Sequence, residues 1–135
     1  MSLKTYHGSC HCGAVRFATD LDLSQGSTRC NCSICTKTRN WSVTIKPDAF
    51  RLMSGQDALS DYQFATRQGH HVFCKHCGVR PFAYGHIKEL GGDIVSIKLN
   101  CLDDITPAEL AAIPVRYIDG RENNWFAQPQ ETRYL

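Results

Sequence analysis

The sequence predicts a mainly β fold on three observations: strict side-chain alternation in several short segments, turn-forming residues between them, and cysteines gathered into three tight clusters. Alternation of apolar and polar residues turns one side of an extended chain to a core and the other to water. Short strands joined by tight turns fold back on their neighbours, so the expected architecture is antiparallel sheet with one short helix.

The alternation is clearest in AVRFAT (Val15, Phe17), WSVTIK (Trp41, Val43, Ile45) and IVSIKL (Val95, Ile97, Leu99). Weaker strand segments are LKTYH, FRLM, DYQFAT, HHVF, RPFAYG and PVRYI, separated by turn signals at Ser54-Gly55, Gln68-Gly69, Gly91-Gly92 and Asp119-Gly120. One helix start is well marked: Thr106 as N-cap, Pro107 at the first helical position and Glu109 closing a capping box, with Pro114 as the stop. The polar stretch DGRENNWFAQPQ reads as irregular, and its Trp125 and Phe126, like Trp41, Phe82 and Tyr84, are expected in packing roles. No linker or repeat interrupts the 135 residues, so one domain spanning 1–135 is expected.

Composition removes several function classes. With 42% hydrophobic and 21% charged residues the chain resembles ordinary globular proteins. Its 15 Lys+Arg are spread along the chain and nearly balanced by 13 Asp+Glu, which argues against a nucleic-acid partner. No apolar run is long enough for a membrane span and no signal-peptide pattern opens the sequence, so a cytoplasmic location is expected. Asn31-Cys-Ser and Asn40-Trp-Ser are then chance matches to the glycosylation pattern. In a reducing compartment clustered cysteines serve metal binding or catalysis rather than disulfides.

Seven of the 8 cysteines lie in CHCG (Cys10, Cys12), CNCSIC (Cys30, Cys32, Cys35) and CKHCG (Cys74, Cys77). In extended chain, residues i and i+2 point to one side, so each CxC can aim two sulfurs at one point. CxxC-Gly is the spacing of a zinc knuckle, and Gly13 follows Cys12 as Gly78 follows Cys77. Pairing the two glycine-backed motifs gives a closed zinc site of Cys10, Cys12, Cys74 and Cys77. CNCSIC supplies three thiols but no fourth. It is either an open zinc site, which accepts an exogenous ligand, or a second closed one completed by Cys101, His7, His11, His70, His71 or His76. Cys101 continues the parity of Val95, Ile97 and Leu99 and reads as a core cysteine, while adjacent His70 and His71 must face opposite sides of a strand.

The ordered set GSCHCGAVRF, CNCSIC and FCKHCG resembles the glutathione-dependent formaldehyde-activating enzyme family, also called the GFA or CENP-V/GFA domain, over roughly residues 6 to 104. The resemblance implies a GFA-type antiparallel β-sheet fold with a short helix and zinc-clamped loops. It assigns Cys10, Cys12, Cys74 and Cys77 to a structural Zn2+ and Cys30, Cys32 and Cys35 to a labile or catalytic one. The implied chemistry is that of a carbon-sulfur lyase acting on S-hydroxymethylglutathione, the adduct of glutathione and formaldehyde, or on another small-thiol adduct of an aldehyde. Lys37, Arg39, Arg80 and Arg121 are the candidate anion holders for such a substrate. Where the family commonly has a glycine five residues after CxCxxC, this chain has Asn40, which tolerates left-handed backbone. A non-catalytic zinc-binding interaction module and a thiol- or redox-responsive zinc protein are the alternative readings of the same motifs.

Overall fold

The computed structural model describes residues 3–135. Each of the nine expected strand segments contributes to a strand: β1 (Lys4–Ser9), β2 (Arg16–Leu21), β4 (Trp41–Ile45), β5 (Phe50–Ser54), β6 (Leu59–Tyr62), β7 (His71–Cys74), β8 (Phe82–Ile87), β9 (Gly92–Lys98) and β10 (Val115–Ile118). DYQFAT is the largest shift, since its strand ends at Tyr62 and the chain turns just after Phe64. A tenth strand, β3 (Ser27–Cys30), and a helix, α1 (Ser33–Thr38), carry CNCSIC and have no periodic signature. The marked helix is α2 (Pro107–Ala112), with the capping box complete between Thr106 and Glu109.

The strands form a three-stranded sheet in the order β1-β2-β5, a five-stranded sheet in the order β10-β3-β4-β9-β8, and the β6-β7 pair. Pairing is antiparallel with one exception among the described strands: β10 runs parallel to β3, so the sheets are not purely antiparallel as expected. A parallel neighbour needs a long crossover, here the whole of the chain between Cys30 and Val115. The core lies where the larger sheets meet. Phe17 and Phe82 are fully buried, and Phe50 bridges them with ring centroids 5.8 Å and 4.7 Å away.

The strand directions converge on one end of the five-stranded sheet. There β3 ends at Cys30, β10 at Ile118 and β9 at Lys98, while β4 begins at Trp41 and β8 at Phe82. Register matters too. Thr28 lies opposite Ser42 and Ser42 opposite Lys98, so Cys30, two residues on from Thr28, shares its sheet face with Lys98 and Ser96.

Candidate metal centres

The first centre joins the end of β1 to the β7–β8 turn. Cys10 and Cys12 sit on a turn closed by the Gly13 N–H donating to the Cys10 carbonyl at 3.2 Å, and not on the extended chain expected for CxC. Cys74 and Cys77 form a matching turn, closed by the Gly78 N–H to the Cys74 carbonyl at 2.7 Å. Gly13 and Gly78 have φ of 82° and 78°, the left-handed region that each knuckle requires. The Cys10–Cys12 and Cys12–Cys74 sulfurs are 3.7 Å and 3.6 Å apart, and all four lie within 4.8 Å of one another. Tetrahedral zinc with Zn–S bonds of about 2.3 Å sets its sulfurs about 3.8 Å apart. The donors therefore fit a zinc ion. The backbone N–H groups of Cys12 and Val79 already favour a thiolate at Cys77, holding its pKa down at about 6.

The second centre is local in sequence. Cys30 ends β3, Cys32 is the N-cap of α1 with φ −64° and ψ 171°, and Cys35 lies in the helix. Thus an extended residue, a cap and a helical residue converge, where the CxC parity expected two extended ones. Their sulfurs lie within 4.8 Å of one another. Contacts from Cys30 and Cys35 hold the Cys32 thiol well below its ordinary pKa, and the Cys35 thiol is raised by Cys30, Cys32 and burial. Among the described residues no fourth ligand joins them. His7 is paired with Asp104 at 2.8 Å and His70 with Asp61 at 2.6 Å, while the half-buried Cys101 points its thiol at the Arg80 carbonyl, 3.8 Å away. His11 and His76 are exposed on the knuckle turns of the first centre.

The loop between Cys30 and Cys32 is held from the far end of the chain. Buried Asn31 donates from Nδ2 to Asp119 Oδ1 at 2.9 Å, and its Oδ1 accepts from the Arg121 N–H at 2.9 Å. Between these anchors Gly120 passes so close that a Cβ there would stand 2.9 Å from Cys30 Sγ. Sequence reasoning missed Asn31, Asp119 and Gly120. The available signal was a polar residue inside CNC and an Asp-Gly read only as a turn. Beside Cys30 and Cys35 a cleft of about 10 Å³, enough for about one water, is lined by Thr36, Arg39, Asn40 and Tyr134.

Of the candidate anion holders, Lys37 and Arg39 are exposed and Arg121 is tied to Thr36 Oγ1 at 3.5 Å. The left-handed residue after α1 is Arg39, φ 49°, and not Asn40, whose side chain donates to Ser42 Oγ at 3.1 Å. Arg80 is different. It is half-buried, follows the first centre's knuckle directly, and lies within electrostatic reach of Cys35 and Cys32. Its Nη2 is 3.1 Å from His71 Nδ1, and the His71 pKa is lowered by burial and then by Arg80 and Lys98. Of the expected aromatic residues, Phe82 is core, whereas Trp125 is 49% exposed and Phe126 94%.

A mainly β chain with a four-thiol and a three-thiol cluster, each able to hold a metal ion, falls in the class of cysteine-rich β proteins. The family model of the glutathione-dependent formaldehyde-activating enzyme matches residues 5–118, and the chain belongs to that family. A Halomonas elongata protein, provisionally named a glutathione-dependent formaldehyde-activating enzyme, is 38% identical over 78 residues, covering 52% of this chain. The match spans 50% of that relative's length. A Rhodobacter sphaeroides protein of known crystal structure superposes with a TM-score of 0.68 at 28% identity, covering 82% of this chain and 99% of that one. Among the described residues no helix is long and apolar enough to cross a membrane.

Proposed function

We propose that the chain is a zinc-dependent carbon-sulfur lyase of small thiols, interconverting an aldehyde adduct such as S-hydroxymethylglutathione with the free thiol and formaldehyde. One observation carries this reading: three thiols converge with no fourth ligand beside them among the described residues, so a tetrahedral ion held there keeps one position for an outside sulfur. Cys10, Cys12, Cys74 and Cys77 would hold a structural zinc, and Cys30, Cys32 and Cys35 the catalytic one. When bound there, zinc supplies Lewis acidity that favours the thiolate form of the substrate sulfur. In the cleavage direction the C–S bond of RS–CH2OH breaks, its electron pair stays on sulfur, and the hydroxyl proton leaves as the carbonyl forms. All eight cysteines are free thiols, a state that fits a reducing compartment such as the cytoplasm, and the whole chain is read as one functional domain.

Exchange NMR with 13C-formaldehyde and glutathione tests the proposal. Metal-loaded protein should speed exchange between free formaldehyde and S-hydroxymethylglutathione above the uncatalysed rate, and Cys32→Ser should remove that acceleration. Exchange no faster than in buffer would rule the enzyme out.

A further inference from the structure

Two half-buried cations stand beside the three-thiol centre without an acidic partner. Lys98 ends β9 on the sheet face shared with Cys30, and among the described residues its Nζ donates only to Ser96 Oγ, at 3.1 Å. Arg80 enters from the neighbouring β8 side, where the Lys98 N–H donates to the Pro81 carbonyl at 3.2 Å. Among the described residues neither cation has a carboxylate within ion-pair distance, and Arg80 Nε is sealed from solvent with no hydrogen-bond acceptor. Buried cations are ordinarily paired, because an uncompensated charge away from water is costly.

The thiols account for part of this charge. Three thiolates around a divalent ion carry a net charge of about −1, whereas Arg80 and Lys98 supply about +2. Burial and then Arg80 lower the Lys98 pKa to about 8, so the amine remains mostly charged at neutral pH. With the ion bound, about one positive charge would be left over beside the centre. The cleft on the Tyr134 side has room for about one water, so the body of a ligand does not lie there.

We propose that Arg80 and Lys98, positioned by His71 and Ser96, form an anion subsite that receives the carboxylate of a thiol whose sulfur is directed to Cys30, Cys32 and Cys35. This rests on the open-site reading above and names its substrate class as thiol carboxylic acids, either a short mercapto acid or a peptide thiol. Lys98 was not singled out from sequence because it occupied the polar phase of a good strand.

The test uses the whole chain loaded with Co2+, whose visible absorption reports sulfur ligation directly. Titrations compare mercaptoacetate with the neutral 2-mercaptoethanol, and glutathione with its glycyl ethyl ester. The acid should bind at least about tenfold tighter than its neutral counterpart in one or both pairs. Preference confined to the first pair assigns the subsite to short mercapto acids, and preference confined to the second assigns it to the peptide thiol. Lys98→Met, which keeps the stem and removes the charge, should reduce the preference to about twofold or less; Arg80→Gln provides a second variant if the first does not fold. Equal affinities within both pairs would overturn the anion subsite while leaving the open-site reading intact. No spectral response to any thiol would remove both.

Discussion

The two candidate metal centres, once loaded, should differ most in what their loss does to folding. Cys12 and Cys74 touch across a separation of 62 residues, so a metal between them acts as a long-range cross-link on the unfolded chain. The chain-entropy relation for a loop of that length gives about 4 kcal/mol at 25 °C. Cys30 and Cys35 are five residues apart, and the same relation gives about 2 kcal/mol. Cys74 is also fully buried, and it follows Val72 in the core, so its release loosens the β7–β8 turn as well as the metal. Cys74→Ser should therefore lower the melting temperature by on the order of 15 °C, and Cys35→Ser by about half as much or less. Calorimetry of the zinc-loaded proteins, with metal content measured on the same samples, makes the comparison. A smaller drop for Cys74→Ser than for Cys35→Ser, with one metal lost in each, would refute the clamp argument.

Other perturbations probe separate parts of the structure. Gly120→Ala places a methyl 2.6 Å from the Trp125 ring and 2.9 Å from Cys30 Sγ, so elemental analysis should show loss of metal from the second centre with the first retained; unchanged metal content would mean the segment yields freely. Phe17→Ala empties a fully buried ring site between Phe50 and Phe82 and should cost about 3–5 kcal/mol in urea unfolding, with a loss below about 1 kcal/mol contradicting the core assignment. Asp20 is held at a pKa of about 2 by hydrogen bonds from Arg51 and then Thr5. Since that lies below the unfolded carboxylate value of about 3.9, its stabilisation is present above that pH and is lost as the pH falls toward 2. The stability gap between wild type and Asp20→Asn should accordingly shrink between about pH 5 and pH 2; a gap independent of pH would remove the pair as its source.

What was legible in the sequence is what local chemistry dictates. Val15, Phe17, Val95, Ile97 and Leu99 announce buried positions by parity, and the Thr106 capping box announces α2 by itself. The two cysteine groupings were equally readable, because the glycine-backed CxC and CxxC motifs pair with each other and leave CNCSIC as a local set of three. The backbone behind those groupings was not. CNCSIC looks extended when only i and i+2 are considered, yet Cys32 caps a helix whose residues show no amphipathic stripe. The β3 pairing, too, depends on β10, a partner no local pattern can point to. Lys98 illustrates the same limit at the site, since alternation explains why its side chain leaves the core but not what stands opposite it.

The parallel pairing of β10 with β3 also sets a schedule. During synthesis from the N-terminus, Cys77, the last ligand of the four-thiol clamp, leaves the ribosome well before Ile118 and Asp119, which tether the Asn31 loop beneath Cys30. The nascent chain can thus close its clamp while the three-thiol centre still lacks its floor. On the function proposed above, metal delivered early would be captured by the four-thiol clamp, and the three-thiol site would mature only when the final strand docks.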